Sequence, residues 1–233
     1  MSMIHFIGGE KGGVGKSVFA RLLSQYFIDN DVPFVGLDAD RSHASLTRFY
    51  EQFTDAINLD HFESTDKIME LALEQDTNVL VDLPAQSERF LDRWIEENDV
   101  LGMCEETGIE IVYWYLVDGG KDSVQLLKKF LPKYSVVMTC AVVKNEGRGS
   151  DFSEVDDVIA SVASSANGTL KEVVLPALHT PTMQKIDKNT FSFWAAANAK
   201  ENGTVHLNLM ERQRTKVWLR KAYTMFDDVL GGI

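Results

Sequence analysis

The feature that most constrains the fold is a glycine-rich run at residues 11–17, which reads Lys-Gly-Gly-Val-Gly-Lys-Ser. It follows an apolar stretch at residues 4–7 and precedes a segment with helical spacing of apolar residues. In that order, backbone N–H groups of the turn can point at phosphate oxygens, and the helix N-terminus adds partial positive charge. A flexible turn is the alternative, but the Gly-Lys-Ser ending in this setting favours a phosphate-binding loop.

The side chains of this run have the chemistry that such a loop needs. Lys16 can reach the β- and γ-phosphates of a nucleotide, and the hydroxyl of Ser17 can ligate Mg²⁺. The other residues expected to contact the nucleotide are Gly12, Gly13, Val14, Gly15 and Val18.

The run departs from the general phosphate-loop motif at its start. The motif G-x-x-x-x-G-K-[ST] would place its first glycine at position 10, where this chain has Glu10, followed by a second lysine, Lys11. The form K-G-G-x-G-K-[ST] closely resembles the deviant Walker A motif of the ParA/MinD family of ATPases. That resemblance implies that Lys11 reaches across a dimer interface to the other subunit's nucleotide, where a cation would neutralise charge developing during phosphoryl transfer. A solvated loop lysine is the alternative.

Composition narrows the class of protein. The chain has 233 residues, of which 45% are hydrophobic and 25% charged, as in ordinary soluble domains. We see no secretory signal and no membrane-spanning run. The two cysteines, Cys104 and Cys140, lack CxxC spacing, which argues against an iron–sulfur site or a disulfide framework. We therefore expect a cytoplasmic protein.

Alternating short apolar runs and amphipathic segments indicate βαβ repetition. We expect an α/β fold, namely the three-layer P-loop NTPase fold with a mainly parallel twisted sheet flanked by helices, in a single domain over residues 1–233. Strands are predicted at residues 3–8, 34–37, 57–59, 78–81, 109–117, 135–143 and 172–175. Helices are predicted at residues 16–29, 44–53, 66–75, 122–131, 152–163 and 209–230, with a further helical face around residues 90–95.

Three aspartates follow predicted strands, at the sheet edge where ligands bind in open parallel sheets. Asp38 and Asp40 come directly after residues 34–37, and Asp82 comes directly after residues 78–81. Hard Mg²⁺ prefers oxygen ligands. The family resemblance implies that Asp40 polarises the attacking water, Asp38 lies near the Mg²⁺ shell and Asp82 holds a Mg²⁺-bound water. A turn or helix cap is the alternative for any one of them.

The segment Asp82-Leu83-Pro84-Ala85 also fits a family form, D-x-P-A, but Gln86 stands where a glycine commonly follows. For the adenine base, the resemblance suggests Asn145, after a predicted strand, and the loop that begins at Pro176. Asn145 could equally be a simple turn residue, because Asn is a preferred turn former.

The net charge of −12 argues against a basic surface over the whole molecule. Near the C-terminus, however, Arg212, Lys216 and Arg220 recur at four-residue spacing and would share one helical face. Such a stripe is usually a solvated face; the alternative is a docking surface for DNA or an acidic partner. The apolar stripe of the same helix is expected to pack on the sheet rather than on a membrane.

The resemblance implies an ATP hydrolase that uses ATP and Mg²⁺ as a nucleotide-dependent homodimeric switch, slow and stimulated by a partner. Within the family, the chain looks like plasmid-encoded members, which serve plasmid partition or belong to the conjugation and mobilisation accessory type of TraL, StbB and MobD. A protein of the partition or transfer machinery is then the expected partner. An ATP-dependent small-molecule ligase or amidotransferase on the same scaffold is the alternative, and Lys11 argues against it.

Overall fold

The computed structural model describes residues 2–40, 44–74, 77–166, 169–200 and 205–231. Within these ranges, seven strands form one sheet in the order β3-β2-β4-β1-β5-β6-β7. Every neighbouring pair is parallel. The strands are β1 (Met3–Gly8), β2 (Phe34–Asp38), β3 (Thr54–Ala56), β4 (Asn78–Asp82), β5 (Glu110–Val117), β6 (Thr139–Asn145) and β7 (Leu170–Leu175).

Helices cover both faces of the sheet, which confirms the predicted three-layer α/β fold. One face carries α1 (Lys16–Asp29), α2 (Ser45–Tyr50), α8 (Thr180–Lys188), α9 (Phe193–Asn198) and α10 (Leu209–Leu230). The other face carries α3 (Phe62–Glu74), α4 (Glu88–Glu97), α5 (Val100–Thr107), α6 (Lys121–Tyr134) and α7 (Ser153–Val162). A 3-10 turn at Glu51–Phe53 links α2 to β3.

The central strands are apolar on both faces because each face is covered by helices. In β1, Ile4 and Phe6 point into one hydrophobic core, whereas Ile7 points into the other. The strand order puts β1 in the middle of the sheet. The glycine-rich loop therefore begins in the middle of the edge formed by the carboxyl ends of the strands, here called the strand-end edge.

Four strands begin at other residues than predicted: β5 and β7 by one and two residues, and β3 and β6 by more. The edge strand β3 lies at Thr54–Ala56 rather than at residues 57–59, because Ile57 and Leu59 bury their side chains in the turn that follows the strand. The strand predicted from residue 135 begins at Thr139 instead, since α6 continues past Pro132 to the buried Tyr134. Packing of that tyrosine against the core outweighs the hydrogen bond that a proline removes near a helix end.

Three helices had no counterpart in the sequence prediction: α5, α8 and α9. A glycine, Gly102, lies inside α5 and weakens its helical pattern. Both α8 and α9 are short, at nine and six residues. The helix predicted at residues 66–75 begins earlier, at Phe62, and residue 75 lies outside the described residues.

The C-terminal helix α10 has the predicted bounds and packs on the sheet layer. Its start is fixed by a capping box between Asn208 and Glu211. Farther along, Phe226 contacts Phe19 and Trp114, with ring centroids 5.4 and 5.6 Å apart. The apolar stripe is therefore core. No helix in the described part of the chain is long and apolar enough to span a membrane.

Candidate functional site

The glycine-rich loop joins β1 to α1, and its backbone needs glycine at specific points. Gly13 and Gly15 have φ angles of 79° and 105°, in the region that side-chain-bearing residues rarely adopt. A Cβ on Gly15 would also lie 2.4 Å from Nδ2 of Asn145. That same Nδ2 donates a 2.8 Å hydrogen bond to the carbonyl oxygen of Val14. Asn145 thus braces the loop from the end of β6.

Lys16 lies inside the loop rather than in solvent. Its side chain is 9% exposed, and Nζ donates to the carbonyl oxygens of Gly9 at 3.0 Å and Lys11 at 3.1 Å. Burial lowers the pKa of Lys16, and the nearby carboxylates of Asp82, Glu10 and Asp40 act in the opposite direction. The ammonium is therefore satisfied by loop carbonyls, which an anion at the loop can replace.

Lys11 pairs with a carboxylate of its own chain. Its Nζ lies 2.7 Å from Oδ2 of Asp118, at the end of β5, the neighbour of β1. Burial alone would raise the pKa of Asp118, but hydrogen bonds from Lys11 and from the Gly120 amide bring a net lowering. Sequence reasoning missed Asp118 as a site residue, although the strand-end rule that selected the other aspartates could have found it.

The sheet register brings two of the three predicted aspartates side by side. Asp38 and Asp82 are paired residues of β2 and β4, and Asp82 also faces Ile7 of β1. The carboxylate of Asp38 accepts hydrogen bonds from the amides of Asp40 (3.1 Å) and Thr47 (3.0 Å). Asp40 itself is half-buried at the start of the loop after β2. Asp38 therefore shapes that loop through its two carboxylate oxygens.

Asp82 is completely buried, and neither of its carboxylate oxygens accepts a hydrogen bond of good geometry within the described residues. Burial first, and then the charge of Asp38, raise the pKa of Asp82 to about 8, while the Ser17 hydroxyl and Lys16 act to lower it. A buried carboxylate without a donor is costly unless a proton, a cation or a bound water compensates it. These residues fit a hydrated Mg²⁺ held by Ser17 and Asp82.

The described residues contain no cluster of three or more His, Cys, Asp or Glu side chains that could hold a metal ion by themselves. A site made of one hydroxyl and one carboxylate, Ser17 and Asp82, leaves the other ligand positions of Mg²⁺ to water and phosphate oxygens, which is how this ion is usually bound.

A cavity of about 180 Å³ lies beside the loop, at the ends of β6 and β7. Gly15, Val18, Asn145 and Pro176 line it, so the structure brings together four residues predicted to bind nucleotide, among them Asn145 and Pro176, the two predicted for the base. The Nε1 of Trp218, from α10, holds this wall by donating a 2.6 Å hydrogen bond to the carbonyl oxygen of Pro176.

A second cavity, of about 500 Å³, lies on the other side of the site. It is bounded by Asp40, by the segment from Pro84 to Gln86 and by two arginines of α4, Arg89 and Arg93. Gln86, the residue that departs from the family form, has a φ of 61°. Its backbone thus adopts the left-handed conformation that a glycine would adopt without strain.

The predicted basic stripe lies on α10, away from the loop. Lys216 and Arg220 are exposed, whereas Arg212 is half-buried and its Nη1 donates to the carbonyl oxygen of Leu207 at 2.7 Å. Lys216 and Arg220 border an open groove between α9 and α10. The stripe therefore presents two exposed cations rather than three.

No model of a known protein family matches the chain. Among curated proteins, it is similar to the protein TraL of Escherichia coli, with 26% identity over 250 residues, 97% of this chain and 98% of that protein. It is also similar to the protein MobD of Acidithiobacillus ferrooxidans, with 26% identity over 132 residues, 55% of this chain and 57% of that protein.

Solved structures share the architecture at low sequence identity. The MinD cell division protein of Aquifex aeolicus matches with a TM-score of 0.57 and 14% identity, over 96% of this chain and 97% of that chain. MinD of Pyrococcus horikoshii OT3, solved with Mg-ADP, matches with a TM-score of 0.52 and 12% identity, over 95% and 96%. The structure of pnob8 ParA matches with a TM-score of 0.50 and 14% identity, over 73% and 75%. The chain therefore has the fold of the MinD and ParA P-loop ATPases, and its sequence relatives are TraL and MobD.

Proposed function

We propose that this protein is an ATP hydrolase that works as a nucleotide-dependent homodimeric switch. The observation that carries the proposal is the buried carboxylate of Asp82, which accepts no hydrogen bond of good geometry within the described residues and lies near Ser17 and Lys16 at the base of the glycine-rich loop. In this proposal the carboxylate helps to hold a hydrated Mg²⁺, which would neutralise phosphate charge and polarise the bond to the leaving group.

In this proposal, the loop binds the nucleotide phosphates through the backbone of Gly12, Gly13, Val14 and Gly15. Lys16 exchanges its two carbonyl partners for β- and γ-phosphate oxygens. Ser17 ligates Mg²⁺, Asp82 holds a water bound to it and Asp38 lies close to its shell. Asp40 orients the water that attacks the γ-phosphate. The base enters the cavity between Asn145 and Pro176 and lies near Val18.

Lys11 is proposed to act on the nucleotide of the other subunit. Within its own chain Lys11 is held by Asp118 at 2.7 Å, so dimerisation has to exchange this ion pair for a contact with the partner's phosphate. Because the pair is partly exposed, its net stabilisation is at most about 1 kcal/mol, and the phosphate can compete with it. The ion pair then favours the monomer until nucleotide is bound.

The similarity to TraL and MobD favours a role in conjugative transfer over plasmid partition. We propose that the switch acts in the cytoplasm on a protein of the transfer machinery, which stimulates a slow intrinsic hydrolysis. Direct DNA binding through Arg212, Lys216 and Arg220 is the complementary proposal, and it predicts a steep loss of affinity with salt.

Light scattering with ATP on an Asp40→Ala protein tests the dimer switch. Removal of the group that orients water leaves nucleotide binding intact, so ATP is expected to trap a dimer, whereas ADP leaves a monomer. A second variant, Lys11→Ala with Asp40→Ala, is expected to bind ATP and stay monomeric. A monomer at all concentrations in the Asp40→Ala protein, with wild-type ATP affinity, would contradict the proposal.

The second cavity favours one alternative, an ATP-dependent ligase or amidotransferase, because such enzymes need a substrate site beside the γ-phosphate. The cavity borders Asp40 and contains two arginine side chains. An ATPase assay discriminates the two functions. A switch releases phosphate with ATP and partner alone, whereas a ligase needs a small carboxylate or amine substrate and gives a covalent product.

A further inference from the structure

Glu10, at the position of the first glycine in the general phosphate-loop motif, is buried and faces helix α4. Only 7% of the residue is exposed. Its Oε1 accepts a 3.1 Å hydrogen bond from the backbone amide of Glu88, the first residue of α4. The two residues are 78 positions apart in the chain, so this contact joins the phosphate loop to a distant helix.

Helix α4 needs such an acceptor, because the first amides of a helix have no partner within it. The residue before the helix, Ser87, is a good capping residue by type, yet its side chain makes no capping hydrogen bond. The carboxylate of Glu10 supplies the missing acceptor, and its negative charge is favourable at a helix N-terminus. Helix α4 is therefore capped from the phosphate loop.

The backbone that leads into α4 is strained. Gln86 lies two residues before the helix with a φ of 61°, a conformation that surrounding contacts must hold in a residue with a side chain. The same segment runs from Asp82 at the end of β4, past the cavity that borders Asp40. The segment at residues 83–87 connects Asp82, the aspartate proposed to help hold Mg²⁺, to α4. The hydrogen bond to Glu10 holds the end of this segment that enters α4.

Lys16 controls the backbone on both sides of Glu10. Its Nζ donates to the carbonyl oxygens of Gly9 and Lys11, the residues immediately before and after Glu10. If Lys16 exchanges these carbonyls for phosphate oxygens, the carbonyl groups of both neighbours of Glu10 lose their partner. Phosphate binding at Lys16 would therefore alter the hydrogen bonds of the backbone next to Glu10, and with them the position of the carboxylate that caps α4.

We propose that Glu10 is a positioning residue that caps α4 from the phosphate loop and couples phosphate binding at Lys16 to the order of the first turn of α4. The cap is a property of the nucleotide-free chain. The coupling rests on the proposed function, since it requires that the loop binds ATP.

Hydrogen–deuterium exchange of the full chain without nucleotide tests the cap. In Glu10→Ala, the amides in the first turn of α4 are expected to exchange about fivefold faster than in the wild type, as for the loss of a helix cap. Glu10→Gln keeps an acceptor oxygen and is expected to restore slow exchange, and Glu10→Asp, shorter by one methylene, is not. The matched control Ser87→Ala is expected to exchange like the wild type. Equal exchange in Glu10→Ala and wild type, or equal acceleration in Ser87→Ala, overturns the cap.

Addition of Mg-ATP tests the coupling. In the wild type, exchange in the first turn of α4 is expected to change by at least about twofold, and in Glu10→Ala this response is expected to be lost while the affinity for ATP stays within about threefold. An unchanged response in Glu10→Ala overturns the coupling. If the wild type binds no ATP, the proposed function fails and with it the coupling, while the nucleotide-free comparison still decides the cap. Glu10→Gln supplies the same readouts if Glu10→Ala does not fold.

Discussion

The strand-end edge and the outer face of α10 both carry lysine side chains, but in opposite settings. At the edge, Lys16 is buried against loop carbonyls and Lys11 is paired with Asp118. On α10, Lys216 and Arg220 extend into solvent. Burying a polar or charged group costs free energy. A buried polar group is therefore a stronger indication of a binding or catalytic site than an exposed one. Exposed cations carry no such cost, and their presence alone argues little about function.

The same contrast holds for carboxylates. Asp82 is buried and accepts no hydrogen bond of good geometry within the described residues, whereas Asp227, on α10, accepts a hydrogen bond from the hydroxyl of Tyr26 at 2.6 Å. The oxygens of Asp82 can still contact a donor or a cation, whereas one oxygen of Asp227 is already hydrogen-bonded.

The largest difference in affinity for Mg-ATP is expected between a variant of a lysine at the strand-end edge and a variant of a lysine on α10. Lys16→Ala removes two charge-assisted contacts to phosphate and is expected to weaken Mg-ATP binding by about 100-fold or more. The matched variant Lys216→Ala is expected to bind like the wild type. Isothermal titration calorimetry measures both affinities. Similar affinities for the two variants would show that Lys16 contributes no more to nucleotide binding than an exposed lysine of α10.

A buried polar residue outside the site tests whether burial alone marks function. His5 is fully buried in β1, accepts a 3.3 Å hydrogen bond from Nε1 of Trp114, and has its pKa lowered by burial to about 3. Because the unfolded chain protonates near pH 6.5 and the folded chain does not, stability falls as pH drops below 6.5. Between pH 7 and pH 5 the loss is expected to be about 2 kcal/mol.

Urea unfolding at pH 7 and pH 5 measures this loss, with His5→Leu as the control that lacks the titrating ring. The wild type is expected to lose about 2 kcal/mol more than the variant over this interval, with ATP binding at pH 7 unchanged in both. Equal losses in the two proteins would show that His5 protonates in the folded chain.

A smaller effect is expected from the pair at the edge. Asp118→Asn weakens the hold on Lys11, and because the pair is partly exposed we expect a gain of about 0.5 kcal/mol for each of the two subunits, or about 1 kcal/mol for the dimer. The ATP-dependent dimer should then form at about fivefold lower protein concentration in sedimentation experiments. Asp122→Asn, an exposed aspartate four residues on, is the control. A dimer weakened by Asp118→Asn would indicate that Asp118 acts within the dimer instead.

The smallest effect is expected on α10. Lys216→Gln combined with Arg220→Gln should change the free energy of unfolding by less than about 0.5 kcal/mol, since both side chains are exposed. If double-stranded DNA binds this face, the slope of log affinity against log salt should fall by about 2 in magnitude. An unchanged slope in a protein that binds DNA would move the DNA surface elsewhere.

Much of the edge was predictable because its signals are local. A strand, a glycine turn and a helix that follow each other within residues 3–29 determine the loop by themselves, and the strand-end rule selected Asp38 and Asp82. The pairing of these two aspartates in register then followed from the strand order. The predicted roles of the site residues remain proposals.

The contacts that tie the edge together were not predictable. Lys11 and Asp118 are 107 residues apart, and Glu10 and Glu88 are 78 apart. No local pattern marks such pairs, because they depend on strand order and on the angle at which α4 packs. For the same reason the short helices α8 and α9 were missed: their apolar residues, such as Ile186 and Phe193, join the hydrophobic core of that face of the sheet without forming a long periodic stripe.

The sequence by itself determined the phosphate-loop geometry, the parallel α/β architecture and the placement of carboxylates at strand ends, since each depends on neighbouring residues and on the period of the apolar pattern. Only the tertiary structure decided which charged groups are paired: Lys11 with Asp118, Glu10 with the N-terminus of α4, and Asp82 with no well-formed hydrogen bond within the described residues. Pairing depends on distances between remote segments, and burial turns those distances into free energy.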